Sequence, residues 1–383
     1  MPLQQGVLTG IRHGAETLPD RLNRWYRRLL LPRRAALTGV DIGRREIRVV
    51  RAKMTGATPE VVSIGCFPTP PDVFADGMCV EKLAVTLKQA VQTTGTEIED
   101  VVTAIGGDKV IIRHIRMPVM PEKEVESAIR WEAERHIPVP LEELVLRHVT
   151  LGEVATDEVK QLNIMLVAAP IKTVHEYYTL FQQAGLRLVA IDLQALALWR
   201  VFAGSHKAPP AGTVGIVNIG SAVSQFVVLR DGKLELTRTI TIGGNAVTEA
   251  LARTCGVDFN VAQRMKEEEG DAAAVIGEVA IASEPGGVQL NFAVQEGLGE
   301  IVRGIRQSLS WCRTQNRERS VERIILCGGG AKLKGLPAFL TEELELPVDL
   351  GLPGVRVHTA NPEEEYEPSL AVAIGLALRE VVG

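Results

Sequence analysis

The sequence predicts an α/β protein built from two duplicated half-domains that face each other across a cleft. Strand-like and helix-like segments alternate along the chain after Leu37, which is the pattern of layered α/β folds. A strand, an x-Ile-Gly turn and a second alternating strand occur at VDIGRREIRVV, from Val40, and again at VNIGSAVSQFVVL, from Val217. Between the copies, about residues 113–186 have a strand–helix–strand–strand–helix order that indicates a small α+β insertion.

The first half-domain is expected over residues 37–209. Its hairpin, LTGVDIG and EIRVVRAK, precedes a third strand, a helix over residues 80–93 and a buried strand at DVVTAIGG. Inside the insertion, a helix begins at Pro121 with acidic residues in its first turn and ends before Pro138. A second helix, KTVHEYYTLFQQAGL, ends the insertion at a glycine.

The second half-domain is expected over residues 210–354, after the Pro- and Gly-rich break GSHKAPPAG. It repeats the hairpin, adds a strand after an Asp231-Gly232 turn, and includes a smaller subdomain over about residues 247–302. Its last strand, VERIILCGGG, runs into three glycines before the helix LPAFLTEEL. The apolar helix PSLAVAIGLALREVV, within residues 355–383, is expected to return to the first half.

The composition limits the function classes. The chain has 383 residues and a formal net charge of −5, whereas a general nucleic-acid coat needs a basic surface. The five cysteines are odd in number and lack metal-ligand spacing, which predicts reduced thiols in a cytosol. No stretch of about twenty apolar residues is free of charge, so no spanning helix is expected.

Residues 1–36 differ in texture from the rest of the chain. Within residues 17–31, leucines with Trp25 and Tyr26 recur at helical spacing, and arginines cover most of the opposite face. A basic amphipathic helix of this kind suits an anionic membrane surface. The alternatives are a poorly ordered leader and a helix docked on the body or on a partner.

Glycine turns at the ends of strands predict a phosphate-binding cleft. A strand that ends in a glycine turn brings bare backbone amides close to a bound group. Besides the two x-Ile-Gly turns, Gly243-Gly244 and Gly328-Gly329-Gly330 precede helices, whose N-termini favour anions. A hairpin's need for glycine explains any one turn, but four in this order predict two half-domains that grip one polyphosphate.

Competing motifs do not fit the sequence. It contains no G-x-x-x-x-G-K-[ST], no G-x-S-x-G and no H-E-x-x-H. GGGAKLKG is not a dinucleotide fingerprint, because Leu333 occupies the third glycine position. His114, Glu132 and His136 could be grouped as a metal cluster. Histidines beside helices, however, are more often exposed or hydrogen-bonded in the core.

The motifs together resemble a known superfamily. Asp41-Ile42-Gly43, Asn218-Ile219-Gly220, TIGG and LCGGGAKLKGL are similar to the phosphate-1, phosphate-2 and adenosine motifs of the actin-like ATPases. Within that superfamily, RHIRMPVMPEKEVESAIRWEAERHIPVPLEELVL and VAAPIKTVHEYYTLFQQAGLRLVAIDLQALAL resemble the PilM family of type IV pilus assembly proteins, relatives of the cell-division protein FtsA. The resemblance covers roughly residues 37–383.

The resemblance implies roles by position. The positions that match nucleotide-binding residues are Asp41, Gly43, Asn218, Gly220, Ser221, Gln263, Lys266, Gly328, Gly329 and Gly330. It implies ATP as ligand, magnesium held by Asp41 through water, and Gln194 near the attacking water. It further implies a location at the cytoplasmic face of the inner membrane, where the family binds an N-terminal peptide of the membrane protein PilN in a groove that involves the insertion.

Two sites depart from the family pattern. Asn218 stands where aspartate is usual, and it either satisfies turn backbone groups or replaces a carboxylate that orients water. Loss of a proton-transferring or water-positioning group commonly costs about 10²–10⁴ in rate. Arg44 and Arg45 replace small hydroxyl residues and either pair with phosphates or point into water. The sequence therefore favours holding a nucleotide over hydrolysing it.

Three functional hypotheses follow. The favoured one is an ATP-binding scaffold of the pilus inner-membrane assembly platform with slow or no hydrolysis. The second is an active ATPase or small-molecule kinase on the same fold, which needs a catalytic base in a substrate pocket; the acids of the insertion show only ordinary solvated helix spacing. The third is a self-associating filament like those of other actin relatives.

Overall fold

The computed structural model describes residues 36–55, 58–75, 77–94, 100–156, 159–204, 210–273, 285–315, 320–352, 355–357 and 367–379. The amphipathic segment predicted within residues 17–31 lies outside these ranges. Within them, no helix has both the length and the apolar character needed to cross a membrane.

Strands and helices alternate as the sequence pattern predicts. The strands in the described residues are β1 (Ala36–Ile42), β2 (Glu46–Thr55), β3 (Thr58–Pro68), β4 (Asp100–Ile105), β5 (Ile111–Pro118), β6 (Leu144–Thr156), β7 (Val159–Pro170), β8 (Arg187–Leu193), β9 (Thr213–Ile219), β10 (Ser224–Arg230), β11 (Lys233–Ile240), β12 (Arg323–Cys327), β13 (Val348–Leu350) and β14 (Arg356–Val357). The α-helices there are α1 (Val80–Thr93), α2 (Glu122–His136), α3 (Ile171–Gln183), α4 (Gln194–Trp199), α5 (Asn245–Cys255), α6 (Phe259–Glu268), α7 (Pro285–Gln315), α8 (Leu336–Leu344) and α9 (Ala371–Ala377).

The first half-domain is built on a six-stranded sheet in the order β14-β3-β2-β1-β4-β8. β1 and β2 form the antiparallel hairpin, and β4 lies parallel to β1 on its other side. Apolar residues of α1, α3, α4 and α9 join this sheet in one buried cluster. α9 approaches α4 so closely that a Cβ on Gly375 would lie 2.0 Å from the Ala197 carbonyl oxygen. The last helix therefore lies in the core of the first half.

The second half-domain is built on a five-stranded sheet in the order β11-β10-β9-β12-β13. α5, α7 and α8 share a second buried cluster with it. The predicted turn between β10 and β11 is confirmed, since Asp231 and Gly232 have φ of 46° and 74°, the positive values that a tight two-residue hairpin turn requires. β12 runs parallel to β9, which places the end of β12 beside the end of the β9 strand.

The inserted segment forms a three-stranded sheet in the order β5-β7-β6, with α2 packed against it. Ile115, Ile129 and Ile164 belong to a third, separate apolar cluster. α3, which the sequence assigned to the insertion, instead contributes Tyr177 and Leu180 to the first cluster. The physical reason is that α3 buries its apolar face on α1 and β8 of the first half.

The insertion also contacts the second half-domain. The Thr237 amide of β11 donates a hydrogen bond of 3.1 Å to Nε2 of His114 on β5. Burial lowers the pKa of His114 to about 4, so the imidazole is neutral at pH 7 and Nε2 is free to accept. The insertion is thus tied to an edge strand of the second sheet by a bond between one side chain and the backbone.

Candidate functional site at the cleft

The two x-Ile-Gly hairpins form the same turn. The Gly43 amide donates to the Glu46 carbonyl at 3.0 Å, and the Gly220 amide donates to the Val223 carbonyl at 3.0 Å. In both turns a Cβ on the glycine would lie less than 3.0 Å from that carbonyl oxygen, so both positions require glycine. The duplication of the x-Ile-Gly turn, which the sequence predicts, is therefore confirmed by the backbone geometry.

Asp41 lies at the base of the first turn, on β1, and is buried. It sits directly opposite Arg48 of β2 in the hairpin register, with 3.5 Å between its Oδ2 and Arg48 Nη1. Burial raises the pKa of Asp41, while the charge of Arg48 and a hydrogen bond from Gln194 act in the opposite direction. The carboxylate therefore already has two partners in the protein.

Gln194, the predicted water-positioning residue, begins α4 directly after β8. Its amide bonds to Asp41, and its Oε1 would lie 2.1 Å from a Cβ on Gly106. A glycine at the end of β4 thus leaves the space that the glutamine side chain occupies. The side chain lies at the cleft beside Asp41, and its role towards water stays a prediction.

The two arginines of the first turn are exposed and take different positions. Arg44 lies over the Phe74 ring, 5.7 Å from the centroid, and Lys109 lies 4.7 Å from the same ring. Arg45 is close enough to Lys266 of the second half for its charge to lower the pKa of that amine. Arg44 therefore stacks on a ring, while the charge of Arg45 acts on a cation of the second half-domain.

The second turn is anchored to the start of α5. The amides of Gly244 and Asn245 donate to the carbonyl oxygens of Gly220 and Ser221 at 2.9 and 2.7 Å. The sequence predicted that the Gly243-Gly244 turn presents a helix N-terminus to a bound anion; the Gly244 amide is not available for that contact, and the role of the turn stays a prediction. Both amides are satisfied by the second x-Ile-Gly turn, and a Cβ on Gly243 would lie 2.5 Å from the Gly220 oxygen.

The third glycine turn lies against the second hairpin. Gly328 has φ 90° and ψ 171°, and a Cβ there would lie 2.4 Å from Oδ1 of Asn218 and 2.5 Å from the Ile219 carbonyl oxygen. A Cβ on Gly330 would lie 2.3 Å from the Ile219 side chain. Because β12 pairs with β9 in parallel, the sheet brings these two motifs together.

Gln263 and Lys266, on one face of α6, form a hydrogen-bonded group with the start of α5. The Lys266 amine donates to the Gly244 carbonyl at 3.0 Å, to Thr248 at 2.7 Å and to Gln263 Oε1 at 2.9 Å. Burial, and then the charge of Arg45, lower the pKa of Lys266 to about 8. The three N–H donors of the amine are all used within this group, so a nearby anion would act on Lys266 through its charge and would raise that pKa.

Arg48 is a cleft residue that the sequence reasoning missed. Its Nη1 would lie 3.4 Å from a Cβ on Gly43, and its Nη2 would lie 3.5 Å from a Cβ on Gly329. It also pairs with Glu46 at 2.6 Å. The hairpin register was the available signal, since a four-residue turn closed between Gly43 and Glu46 puts Arg48 opposite Asp41.

The described residues do not assemble a metal centre. Among them, no group of three or more histidine, cysteine, aspartate or glutamate side chains is placed to hold a metal ion. His136 pairs with Glu132 at 3.2 Å, whereas His114 is bonded to the second half-domain. Asp41 was expected to hold magnesium through water. The Arg48 guanidinium beside it would repel a divalent cation, so the residues present do not fit that ion.

Comparisons with known proteins agree with the resemblance. A family model described as type IV pilus assembly protein PilM matches residues 39–279, and a model of cell division protein FtsA matches residues 215–375. FtsA of Bacillus subtilis (strain 168) is 23% identical over 365 residues, which are 88% of this chain and 81% of that protein. MreB of Haemophilus influenzae is 28% identical over 166 residues, covering 37% of this chain and 47% of that protein.

A solved structure extends the similarity to the whole fold. The PilM-PilN type IV pilus biogenesis complex contains a chain that is 31% identical, with a TM-score of 0.76, covering 91% of this chain and 99% of that chain. The predicted actin-like ATPase fold, with two half-domains and a small α+β insertion, is therefore confirmed. On the family model and this structural relative together, the chain belongs to the type IV pilus assembly protein PilM family.

Proposed function

We propose that this protein is an ATP-binding scaffold of the type IV pilus assembly platform. It binds the N-terminal peptide of a PilN-like membrane protein at the cytoplasmic face of the inner membrane, and it hydrolyses ATP slowly or not at all. The observation that carries the nucleotide half of the proposal is the presence of one cation from each half-domain, Arg45 and Lys266, close enough for the charge of Arg45 to lower the pKa of Lys266, a repulsion that an anion would relieve.

The position of these two cations supports a polyphosphate as the ligand. Arg45 belongs to the first phosphate turn, while Lys266 lies on α6 of the second half beside the Gly244 turn. A nucleoside triphosphate between the two half-domains would neutralise both cations at once. Since Lys266 is largely desolvated, such a contact is stronger than a surface ion pair.

The chemistry of the cleft supports slow or absent hydrolysis. Asn218 carries no charge and cannot accept a proton, and its Oδ1 is in contact distance of the Cys327 thiol, 3.9 Å away. Asp41, the carboxylate of the first turn, is engaged by Arg48 and Gln194. Neither side chain is therefore free to act as a base towards an attacking water.

The partner half of the proposal draws on the family and on the insertion. The structural relative is a chain from a PilM-PilN complex. In this protein the insertion exposes Trp131 of α2, 59% accessible, and Val119, 49% accessible. Large exposed apolar side chains are the type that anchors a bound peptide. Arg135 stacks on Trp131 with 4.8 Å to the ring centroid, which holds the indole in place.

Two measurements test this function. Titration of the protein with the cytoplasmic N-terminal peptide of a PilN-like membrane protein should give saturable binding. Trp131→Ala should weaken that binding relative to Trp311→Ala, a control on α7. Steady-state phosphate release with magnesium and ATP should be close to background. Rapid release by the unaltered chain would favour the alternative, an active ATPase or kinase, and Asn218→Asp shows whether the missing carboxylate limits the rate.

Self-association is a separate possibility raised by the sequence. Sedimentation of the full chain with and without ATP tests it. A nucleotide-dependent pellet would assign the protein to the filament-forming actin relatives rather than to discrete scaffolds.

A further inference from the structure

Arg48 occupies a place between two of the three glycine turns. Its guanidinium is beside the first phosphate turn at Gly43 and beside the adenosine turn at Gly329, with Nη atoms 3.4 and 3.5 Å from where their Cβ atoms would be. Only 12% of the side chain is accessible. A cation is therefore built into the cleft where the first hairpin faces the third turn.

The guanidinium retains hydrogen-bonding capacity in this position. Nη2 pairs with Glu46 at 2.6 Å and Nη1 is 3.5 Å from Asp41, while Nε is buried with no hydrogen-bond partner. An arginine carries five N–H donors in a fixed fork that matches a phosphate group. Because Nε is enclosed by the protein, the donors that a phosphate oxygen could reach are those of Nη1 and Nη2 that Asp41 and Glu46 do not use.

The carboxylates on this side of the cleft are already paired. Arg48 engages Asp41 and Glu46, and Glu367 is held by Lys332 at 2.9 Å. Magnesium in nucleotide sites is normally anchored through one or two carboxylates as well as the phosphates. In this cleft the second turn offers the neutral Asn218, and a divalent cation near Asp41 would be repelled by the guanidinium.

The second hairpin shows that the fold itself does not need this cation. Gln225 is the residue opposite Asn218, as Arg48 is opposite Asp41. The same turn and register therefore form around a neutral amide pair. The positive charge in the first hairpin is a property of the site rather than a requirement of hairpin formation.

We propose that the Arg48 guanidinium supplies the positive charge that a divalent cation provides in a metal-dependent nucleotide site, so that this cleft binds the polyphosphate of its nucleotide without magnesium. The inference rests on the proposed nucleotide binding and goes beyond it, because it specifies which cation neutralises the phosphates. Arg48 acts by direct contact with the ligand and by neutralising Asp41, which would otherwise repel it.

The test is a calorimetric titration of the full chain with ATP in EDTA and in excess magnesium. We expect dissociation constants within about threefold of each other. Arg48→Gln, which copies the second hairpin, should weaken binding at least tenfold in EDTA, and magnesium should recover part of the loss. Arg51→Gln, the same substitution on the same strand, should leave binding unchanged, and thermal unfolding should show that both variants are folded.

The outcomes separate the inference from the function on which it rests. Binding by the unaltered chain that needs magnesium, or Arg48→Gln binding as well as the unaltered chain in EDTA, overturns the role of Arg48 and leaves nucleotide binding in place. No binding in either condition overturns both. Should Arg48→Gln fail to fold, the magnesium comparison on the unaltered chain and an Arg48→Lys variant, expected to keep metal independence with weaker binding, decide the matter.

Discussion

The hairpin of β1 and β2 and the hairpin of β9 and β10 share one backbone and differ in what surrounds it. Each closes with a glycine amide bonded at 3.0 Å to a carbonyl three residues later. In the first, the residues opposite each other are Asp41 and Arg48, a charged pair. In the second they are Asn218 and Gln225, two amides.

The two hairpins also meet the third glycine turn in different ways. The second hairpin touches it through backbone and short side chains, so that Gly328 has no room for a Cβ beside Asn218 and Ile219. The first hairpin reaches it through the tip of Arg48, beside Gly329. The first hairpin therefore brings a charged side chain to the third turn, while the second hairpin packs against that turn through backbone and short side chains.

We expect the largest loss of stability where the second hairpin packs against the third glycine turn. Gly328→Ala should destabilise the protein by about 3–5 kcal/mol, because its backbone conformation is nearly restricted to glycine and the new methyl meets backbone oxygen. Gly329→Ala is the matched control, since its nearest neighbour is the flexible end of Arg48 at 3.5 Å. Chemical denaturation of both variants measures the difference. Equal losses would show that the third turn does not distinguish the two hairpins.

The next largest effect on stability is expected from Lys266, the cation that the second half-domain places at the cleft. Its folded pKa of about 8 lies below the ordinary value of 10.5. Between these values the unfolded chain holds a proton that the folded chain has released, so stability rises with pH by up to about 3 kcal/mol. In Lys266→Gln this rise should be absent when unfolding free energies are compared at pH 7 and pH 10.

The same group reports on the ligand. A bound polyphosphate would raise the pKa of Lys266, so nucleotide binding at pH 8 should take up a fraction of a proton. Calorimetry in buffers of different ionisation enthalpy measures this uptake, and Lys266→Gln should abolish it. Proton uptake of the same size in the variant would mean that another group titrates on binding.

Most helices, strands and turns could be predicted from the sequence, because each depends on signals within a short stretch of chain. The helix predicted over residues 80–93 and the helix LPAFLTEEL agree with α1 and α8, because apolar periodicity and flanking glycines define them. The repeated turn was readable since only glycine fits its backbone. Each of these signals lies within a short stretch of chain.

The parts of the site that could not be read depend on tertiary contacts. The amides of Gly244 and Asn245 donate to the second x-Ile-Gly turn, a contact that depends on how the start of α5 meets the chain after β9. The assignment of α3 to the first half depends likewise on which surface its apolar face meets. Arg48 was in principle accessible through hairpin register, but its burial required the third turn to be in place.

Replacing Asp41 with asparagine makes the first hairpin resemble the second. Burial raises the folded pKa of Asp41 above 3.8, so its carboxylate costs stability that grows as pH rises from about 4 through the folded value. Relative to the unaltered chain, Asp41→Asn should therefore be more stable at pH 7 than at pH 4. Denaturation at the two pH values measures this, and a difference of the opposite sign would mean that the Arg48 pair outweighs burial.

The same substitution should also tighten nucleotide binding severalfold in EDTA, because Arg48 would face the phosphates without a competing carboxylate. Asn218→Asp is the reciprocal change, and it adds a negative charge to the neutral hairpin. We expect it to weaken binding in EDTA and to make the remaining affinity depend on magnesium. If the two variants change nucleotide affinity in EDTA in the same way, the charge of each hairpin does not determine how it contributes to binding.

The smallest effects are expected at the exposed arginines of the first turn. Arg45→Gln should weaken nucleotide binding about threefold at low salt and less at 0.5 M salt, because an exposed charge is screened. It should also raise the pKa of Lys266, whose amine loses a repelling neighbour. Arg44→Gln is the control on the adjacent residue, since Arg44 lies over Phe74 and should change affinity less than twofold. If Arg44→Gln weakens binding more than Arg45→Gln, the phosphates lie nearer to Phe74 and Lys109 than to Lys266. In that case the cations that contact the phosphates belong to the first half-domain alone.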